Sequence, residues 1–257
     1  MQYLVITTGS CGNCYVFYQN NESIIIDDGI TMTKLHTELE RHEIPFDSIK
    51  GLFLTHLHPD HAKGAGVFMR KTGKPLYISR ESYEGCSVEM KKQKIHGSEI
   101  RTFEFGEIIQ IGGFKITSFH TSHDSIGSSG YYIENDGSTV FLMTDTGIVP
   151  NEAYDFSCKA QLKFIEANYD PEMLSLGKYP DWLKERVSGV YGHLANECAI
   201  DFAKDTSKQG DQIYFIHVSE NNNKVSIVQD LIQRYIPSGI FARALERGEM
   251  TGGFINE

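Results

Sequence analysis

The chain has 257 residues, of which 40% are hydrophobic, and its formal net charge is -10 at pH 7. A chain of this length buries about 70 to 75% of its surface, so we expect one domain over residues 1–257, and the acidic balance excludes a generally basic nucleic-acid binder. Without a signal-peptide pattern or a run of roughly 20 apolar residues, the sequence predicts a soluble, cytoplasmic protein with no membrane span.

Alternating and continuous apolar runs predict strands along the whole chain. In chain order these runs are YLVIT, CYVFYQ, SIIID, GLFLTH, PLYIS, RTFEF, FKITSF, GYYIEN, TVFLMTD, LKFIEAN and QIYFIHV. Helices are predicted at 31–44 with a Thr31 cap, at 196–208 with an Asn196 cap, and at 222–236. The last helix is predicted to place on one face Val225, Val228, Leu231, Ile232 and Tyr235. This order of elements indicates two sheets with helices outside them.

The most specific stretch of the sequence is THLHPDHA at residues 55–62, directly after an apolar run. His56 and His58 are two residues apart, so in extended chain both rings point the same way and can bind one ion. A proline then ends the strand, which lets Asp60 and His61 turn toward a second ion. Imidazole and carboxylate ligands suit Zn, Mn or Fe, and two such ions about 3.5 to 4 Å apart can hold a scissile group between them.

Two ions need further ligands, and three side chains at the ends of predicted strands can supply them. His123 follows FKITSF, Asp145 ends TVFLMTD, and His217 lies near the end of QIYFIHV. A structural role is the simpler interpretation of each side chain alone. Their coincidence with the motif at residues 55–62 favours metal binding.

Two other features carry weaker signals. The five cysteines are an odd and scattered set, which predicts reduced thiols, and their single C-x-x-C lacks the second pair of a zinc ribbon. Residues 63–101 carry a local excess of lysine and arginine that includes Lys91, Lys92 and Lys94. This segment is either an ordinary solvated face or a surface that follows a nucleic-acid backbone.

Several phrases of the sequence, taken together, resemble one family. HLHPDH, followed by a strand-end His, a strand-end Asp and a late strand-end His, resembles the metallo-β-lactamase fold superfamily. Within it, the phrases TTGSCGNCY, IIIDDG, SHDSIGSSGY, TDTG, IEANYDPEML, GHLANE and HVSENNN resemble those of the YycJ/WalJ family over nearly the whole chain. The resemblance implies an α/β protein with a four-layer αββα fold, in which two mixed sheets are sandwiched between helices. It also implies a metal-dependent exonuclease that acts on double-stranded DNA.

The same resemblance implies two divalent ions and a complete ligand set. The implied ligands are His56, His58 and His123 for one ion, Asp60, His61 and His217 for the other, and Asp145 as the bridge. Asp27 matches the first-motif aspartate of the superfamily and is expected to orient neighbouring ligands. Asn196 and Ser219, in GHLANE and HVSENNN, are expected to contact the substrate. The sequence departs from the family pattern, outside the ligand set, at Cys11, Ala195 and Asn221.

Hydrolysis at such a site needs a nucleophile and an acid. A water molecule between two cations loses its proton readily, because coordination can lower its pKa toward about 7, and Asp60 is expected to help orient it. His193 is the expected acid for the leaving alkoxide, with Glu166 holding its imidazole protonated. Its setting is similar to the H-x-x-x-E stretch of tRNA-maturing nucleases of the superfamily. The alternative for His193 is a helix cap or a packing role.

The spacing of the late ligands and the nature of the site narrow the function. Only 71 residues separate Asp145 from His217, too few for the inserted clamp domain of the RNA-cleaving β-CASP branch. The leading prediction is a two-metal phosphodiesterase, a nuclease that degrades DNA from 5′ to 3′. The alternatives are a two-metal hydrolase of a cyclic nucleotide, thioester or lactone, and a domain whose metals are structural or that binds a partner without turnover. The sequence leaves the metal and the oligomeric state open.

Overall fold

The structure is a computed structural model that describes residues 1–255. Its strands are β1 (Gln2–Thr7), β2 (Cys14–Gln19), β3 (Glu22–Ile26), β4 (Ile49–Phe53), β5 (Leu76–Ser79), β6 (Ile100–Phe103), β7 (Ile108–Ile111), β8 (Phe114–His120), β9 (Ser129–Asn135), β10 (Ser138–Met143), β11 (Leu162–Glu166), β12 (Gln212–Ile216), β13 (Phe241–Ala244) and β14 (Thr251–Phe254). Its helices are α1 (Met32–Arg41), α2 (Pro59–Ala62), α3 (Ala65–Thr72), α4 (Arg80–Gly85), α5 (Ser87–Lys92), α6 (Asn151–Lys159), α7 (Pro171–Leu176), α8 (Asp181–Ser188), α9 (Asn196–Thr206) and α10 (Val225–Tyr235). Within residues 1–255, no helix has the length and apolar character needed to cross a membrane.

The strands form two mixed sheets of seven strands each. The first sheet has the order β14-β1-β2-β3-β4-β5-β6, with antiparallel pairs from β14 to β3 and parallel pairs from β3 to β6. The second has the order β13-β12-β11-β10-β9-β8-β7, with antiparallel pairs from β7 to β10 and parallel pairs from β10 to β13. Each sheet therefore has one antiparallel and one parallel half.

Alternation of side chains along the strands sorts the core into layers. In β1, Tyr3 and Val5 pack between the sheets, while Leu4 and Ile6 face the outer layer that contains α1, α3 and α5. In β10, Leu142 faces the other sheet, and its neighbours on the strand pack against α6, α9 and α10. Helix, sheet, sheet and helix follow one another, as the predicted αββα fold requires.

Several predicted elements are corrected by the structure. The segment GLFLTH was predicted as strand through His56, but β4 ends at Phe53. The predicted Asn196 cap is wrong, because Ala195 is the N-cap of α9 and Asn196 is its first helical residue. On α10, Val228 and Ile232 are buried as predicted, whereas Tyr235 is 48% exposed.

Other elements were not predicted at all. They are the strands β7, β13 and β14 and the helices α3 to α8. Most of them have eight residues or fewer and few buried side chains, so their apolar pattern is too short to reveal a period.

Candidate metal centre

The predicted site residues meet at one end of the two sheets, where parallel strands finish. Asp27 follows β3, and the motif at residues 55–62 follows β4. From the second sheet come His123 after β8, Asp145 after β10, Glu166 at the end of β11 and His217 after β12. A pocket of about 390 Å³ opens over this end, and the predicted residues lining it are His58, Asp60, His123, Asp145, His193, His217 and Ser219.

Three of these strand-end residues have left-handed backbone conformations. The φ angles are 59° at Asp27, 53° at Asp145 and 55° at His217. A residue other than glycine costs of order 1 to 3 kcal/mol in such a conformation, and such residues concentrate at functional sites. The chain thus holds Asp145 and His217 at the pocket, and Asp27 against His61, despite a local backbone preference.

The first ligand group contains His56, His58 and His123, whose donor atoms lie within 4.8 Å of one another. His123 Nδ1 is 2.9 Å from the Gly192 carbonyl, to which it donates, so Nε2 is left to face the group. His58 presents Nδ1, which lies 3.3 Å from His123 Nε2. Its Nε2 lies 3.5 Å from Asp124 Oδ1. The same oxygen lies 3.4 Å from His123 Nε2, so Asp124, which was not predicted as a site residue, lies beside both the His58 and the His123 rings.

The second ligand group contains Asp60, His61 and His217. The Nε2 atoms of both histidines lie 3.7 Å from Asp60 Oδ2. Behind them, His61 Nδ1 donates to Asp27 Oδ2 at 2.7 Å, and His217 Nδ1 donates to Glu166 Oε1 at 3.0 Å. Each carboxylate thus holds one ring with its Nε2 toward the group, as is usual behind metal-binding histidines.

Asp145 lies between the two groups. Its Oδ2 is 3.3 Å from His61 Nε2, and its Oδ1 is 3.7 Å from His123 Nε2. It also completes a third set of close donors with His56 and His61. The structure therefore brings all seven predicted ligands together, with Asp145 where a bridge between the groups would stand.

Burial and charge act in opposite directions on the titration of these side chains. Burial, assisted by the charge of His61, holds the pKa of His56 well below its usual range. For His61, burial lowers the pKa, but the carboxylates of Asp145, Asp27 and Asp60 raise it well above its usual range. Burial raises the pKa of Asp60, and the neighbouring histidines offset this and bring it to about 2. The Asp60 carboxylate is thus held ionised, as a metal ligand must be.

The donor set fits divalent metal ions. Histidine nitrogens and carboxylate oxygens are the ligands that Zn, Mn and Fe accept. In residues 1–255, the Nε2 atoms of His56 and His217 are buried without a hydrogen-bond partner. A buried polar atom left unpaired costs about 1 to 3 kcal/mol, and coordination of a cation would remove that cost.

His193 lies beside the ligand groups in the same pocket. Its Nδ1 donates to Glu166 Oε1 at 2.7 Å, and its ring centroid is 5.1 Å from that of His123. Burial lowers the pKa of His193, but the Glu166 carboxylate outweighs burial and raises it above the usual value. The pair Glu166–His193 therefore keeps a proton on an imidazole at the edge of the ligand cluster.

The predicted substrate contacts are placed less uniformly. Ser219 lines the pocket. Asn196 is fully buried and exchanges hydrogen bonds with Asn223, so the structure does not bring it to the pocket. Lys91, Lys92 and Lys94 are exposed on and after α5, and none of the three lines the pocket.

The chain resembles known proteins in both sequence and fold. The family model described as the beta-lactamase superfamily domain matches residues 23–218. The chain is 30% identical over 248 residues to exodeoxyribonuclease WalJ of Streptococcus pneumoniae serotype 2, covering 93% of this chain and 91% of that protein. It is 29% identical over 224 residues to exodeoxyribonuclease YycJ of Bacillus anthracis, covering 87% and 84%.

A solved structure shows the same fold over nearly the full length. The metallo-beta-lactamase fold protein YhfI from Bacillus subtilis superposes with a TM-score of 0.69 at 17% identity, covering 98% of this chain and 99% of that one. Family model, relatives and fold agree with the site geometry. The chain belongs to the beta-lactamase superfamily of metal-dependent hydrolases with the metallo-β-lactamase fold, and within it resembles WalJ and YycJ.

Proposed function

We propose that this protein is a two-metal phosphodiesterase that acts as an exonuclease on DNA, from 5′ to 3′. The observation that carries the proposal is the pairing of two ligand groups through Asp145, next to an imidazole that Glu166 keeps protonated. The names of WalJ and YycJ, both exodeoxyribonucleases, support DNA as the substrate. We further propose that residues 1–257 act as one domain, without an inserted clamp, in the cytoplasm.

The side chains of the pocket would divide the work as follows. His56, His58 and His123 would hold one ion, Asp60, His61 and His217 would hold the other, and Asp145 lies where both groups could share it. Divalent ions bound there would supply an acidified water molecule as nucleophile and would offset charge on the phosphoryl oxygens. Asp60 lines the pocket, where its carboxylate can orient that water by accepting a hydrogen bond.

His193 supplies the remaining function, which is protonation of the leaving oxygen. A phosphodiester of DNA expels an alkoxide, and such a leaving group needs a proton from a positioned acid. The Glu166 hydrogen bond occupies His193 Nδ1, so the proton available for transfer is the one on Nε2. Thioesters and lactones need less help at the leaving group, so this pair favours a phosphodiester substrate.

A small phosphodiester, such as a cyclic nucleotide, is the second candidate. The net charge of -10 favours it, because a long polyanion is repelled by an acidic protein more strongly than a small ester. The pocket volume of about 390 Å³ also suffices for a small ligand. The two candidates use the same residues and differ only in what lies outside the scissile group.

The test is degradation of duplex DNA that is 5′-phosphorylated and labelled at one end, by metal-loaded wild type and by Asp145→Ala in parallel. We expect stepwise shortening that requires metal and is absent in the variant. The position of the label gives the direction. If metal-loaded wild type leaves the DNA intact but hydrolyses a cyclic nucleotide, the second candidate replaces the first.

A further inference from the structure

Two arginines that no sequence motif indicated line the pocket of the metal centre. They are Arg186 on α8 and Arg247 in the segment between β13 and β14. Within residues 1–255 they are the two lysine or arginine side chains that line this pocket. Arg186 is 52% exposed at its side chain and Arg247 is 37% exposed, so both remain accessible to a ligand.

Each arginine forms an ion pair with a different acidic residue. Arg186 Nε donates to Asp124 Oδ2 at 2.6 Å, and Oδ1 of the same carboxylate lies 3.4 Å from His123 Nε2. Arg247 pairs with Glu220, three residues after His217. Arg186 therefore lies next to the first ligand group through Asp124, and Arg247 lies at another part of the same pocket wall, paired with Glu220.

The charge of the rest of the pocket wall explains why these arginines are important for binding a polyanion. Asp60, Asp145 and Glu220 also line it, so apart from bound ions the wall is acidic. Bound cations can neutralise the scissile phosphate but not phosphates further along a strand. A guanidinium group binds phosphate oxygens through two parallel hydrogen bonds, which suits it to those neighbouring phosphates.

We propose that Arg186 and Arg247 bind the phosphates on either side of the scissile phosphodiester and thereby select a polynucleotide over an isolated ester. The inference rests on the proposed nuclease function and specifies its substrate class. Asp124 and Glu220 pair with the two guanidinium groups in the absence of substrate, and the substrate phosphates replace these contacts.

Binding of DNA gives a readout that does not depend on turnover. The probe is a fluorescein-labelled duplex with phosphorothioate linkages at its ends, titrated with metal-loaded protein at several salt concentrations. Removal of one phosphate contact lowers the salt slope of log K by about 1. We expect this decrease for Arg186→Gln and for Arg247→Gln. Arg41→Gln is the matched control, because Arg41 is an exposed arginine paired with Glu38 on α1.

Two further variants separate charge from a structural effect. Arg186→Lys keeps the charge but cannot form the bidentate hydrogen bonds of a guanidinium group. Its salt slope should therefore equal that of wild type, while its affinity for DNA stays below that of wild type. Glu220→Gln removes the carboxylate that competes for Arg247, so DNA affinity should rise. Trp182, the single tryptophan of the chain, lies one helical turn before Arg186 and is 66% exposed, so its fluorescence reports occupancy nearby.

Selectivity is measured as the ratio of kcat/KM on a 5′-phosphorylated trinucleotide to kcat/KM on bis(p-nitrophenyl) phosphate. Loss of one charge-assisted contact should lower this ratio about tenfold or more in each Gln variant. A purely structural role would lower both rates together and leave the ratio unchanged, as would a loss of metal, which is measured on the same samples.

The outcomes distinguish this inference from the function on which it rests. If wild type degrades DNA while both Gln variants keep the control's salt slope and ratio, the arginine assignment is overturned and the nuclease stands. If wild type neither binds nor degrades DNA, the nuclease proposal fails and the arginine assignment fails with it. Lower slopes and ratios in both variants, with wild-type metal content, support the assignment.

Discussion

The two sheets supply the metal centre in different ways. The first sheet delivers its four ligand-type side chains in a single segment, residues 56–61, directly after β4. The second delivers its ligands one at a time from the ends of separate strands, with His123 after β8, Asp145 after β10 and His217 after β12. We call residues 56–61 the contiguous half of the proposed centre, and its geometry is set by the local chain. His123, Asp145 and His217 form the dispersed half, whose geometry depends on the packing and register of the whole sheet.

The carboxylates behind the histidines follow the same division. Asp27 supports one ligand of the contiguous half, His61, and is itself held by the Thr55 backbone N–H at 2.8 Å. Glu166 accepts hydrogen bonds from His217 and also from His193, so in the proposed mechanism it serves both metal binding and proton transfer. Substitution of the carboxylate behind the dispersed half should therefore affect both metal binding and proton transfer, whereas substitution of the carboxylate behind the contiguous half should affect metal binding alone.

The largest effect should come from Asp145, where the two halves meet. Asp145→Ala removes the carboxylate shared by both ligand groups, so we expect loss of bound metal and loss of hydrolysis. Metal content by mass spectrometry and turnover of DNA check this, with Asp155→Ala on the exposed face of α6 as the matched control. Retention of both ions and of activity in Asp145→Ala would show that the halves do not depend on this bridge.

A smaller and more selective effect is expected at His193. His193→Ala should keep its metal, because the ring belongs to neither proposed ligand set, and should slow DNA hydrolysis by about 10² to 10⁴. On a p-nitrophenyl ester the loss should be much smaller, since that leaving group needs no proton. Equal losses on both substrates, or loss of metal, would return His193 to a structural role.

The mildest pair of changes compares the two supporting carboxylates directly. Asp27→Asn and Glu166→Gln should each weaken metal binding by about 10- to 100-fold, as is typical for groups that orient metal ligands. Only Glu166→Gln should also alter the pH profile. The Glu166 charge raises the pKa of His193, so its removal lets His193 lose its proton at lower pH. The alkaline limb of the rate profile should then move to lower pH.

That last prediction is measured as kcat/KM against pH under saturating metal. The alkaline limb of Asp27→Asn should coincide with that of wild type and serves as the control. Coincident profiles for wild type and Glu166→Gln would show that Glu166 does not hold the proton of the acid.

The contrast between the halves also explains what the sequence could predict. The motif at residues 55–62 was recognisable because its ligand-type residues are adjacent, although the strand predicted through His56 ends at Phe53. Instead, His58 caps the short helix α2 with extended backbone angles, and the rings of His56 and His58 meet with centroids 4.6 Å apart. The dispersed ligands were found because each follows a strongly apolar strand.

Side chains defined only by contacts across the chain could not be predicted. The roles of Arg186 and Arg247 depend on pairing with Asp124 and Glu220, and no local spacing encodes such pairs. Asn196 was expected to contact the substrate from its place in a resembling phrase, and the structure pairs it instead with the buried Asn223, 27 residues away along the chain. A sequence pattern predicts where a residue lies on a helix or strand, but the packing of the chain determines which groups its side chain contacts.

The most direct test is a titration of chelator-treated wild type with Mn²⁺ or Zn²⁺, with bound metal counted by mass spectrometry and hydrolysis of end-labelled duplex DNA followed on the same samples. DNA hydrolysis should be absent without metal and should rise to its maximum as occupancy approaches two ions per chain. DNA hydrolysis by the metal-free protein, or intact DNA at full occupancy, would contradict a two-metal nuclease.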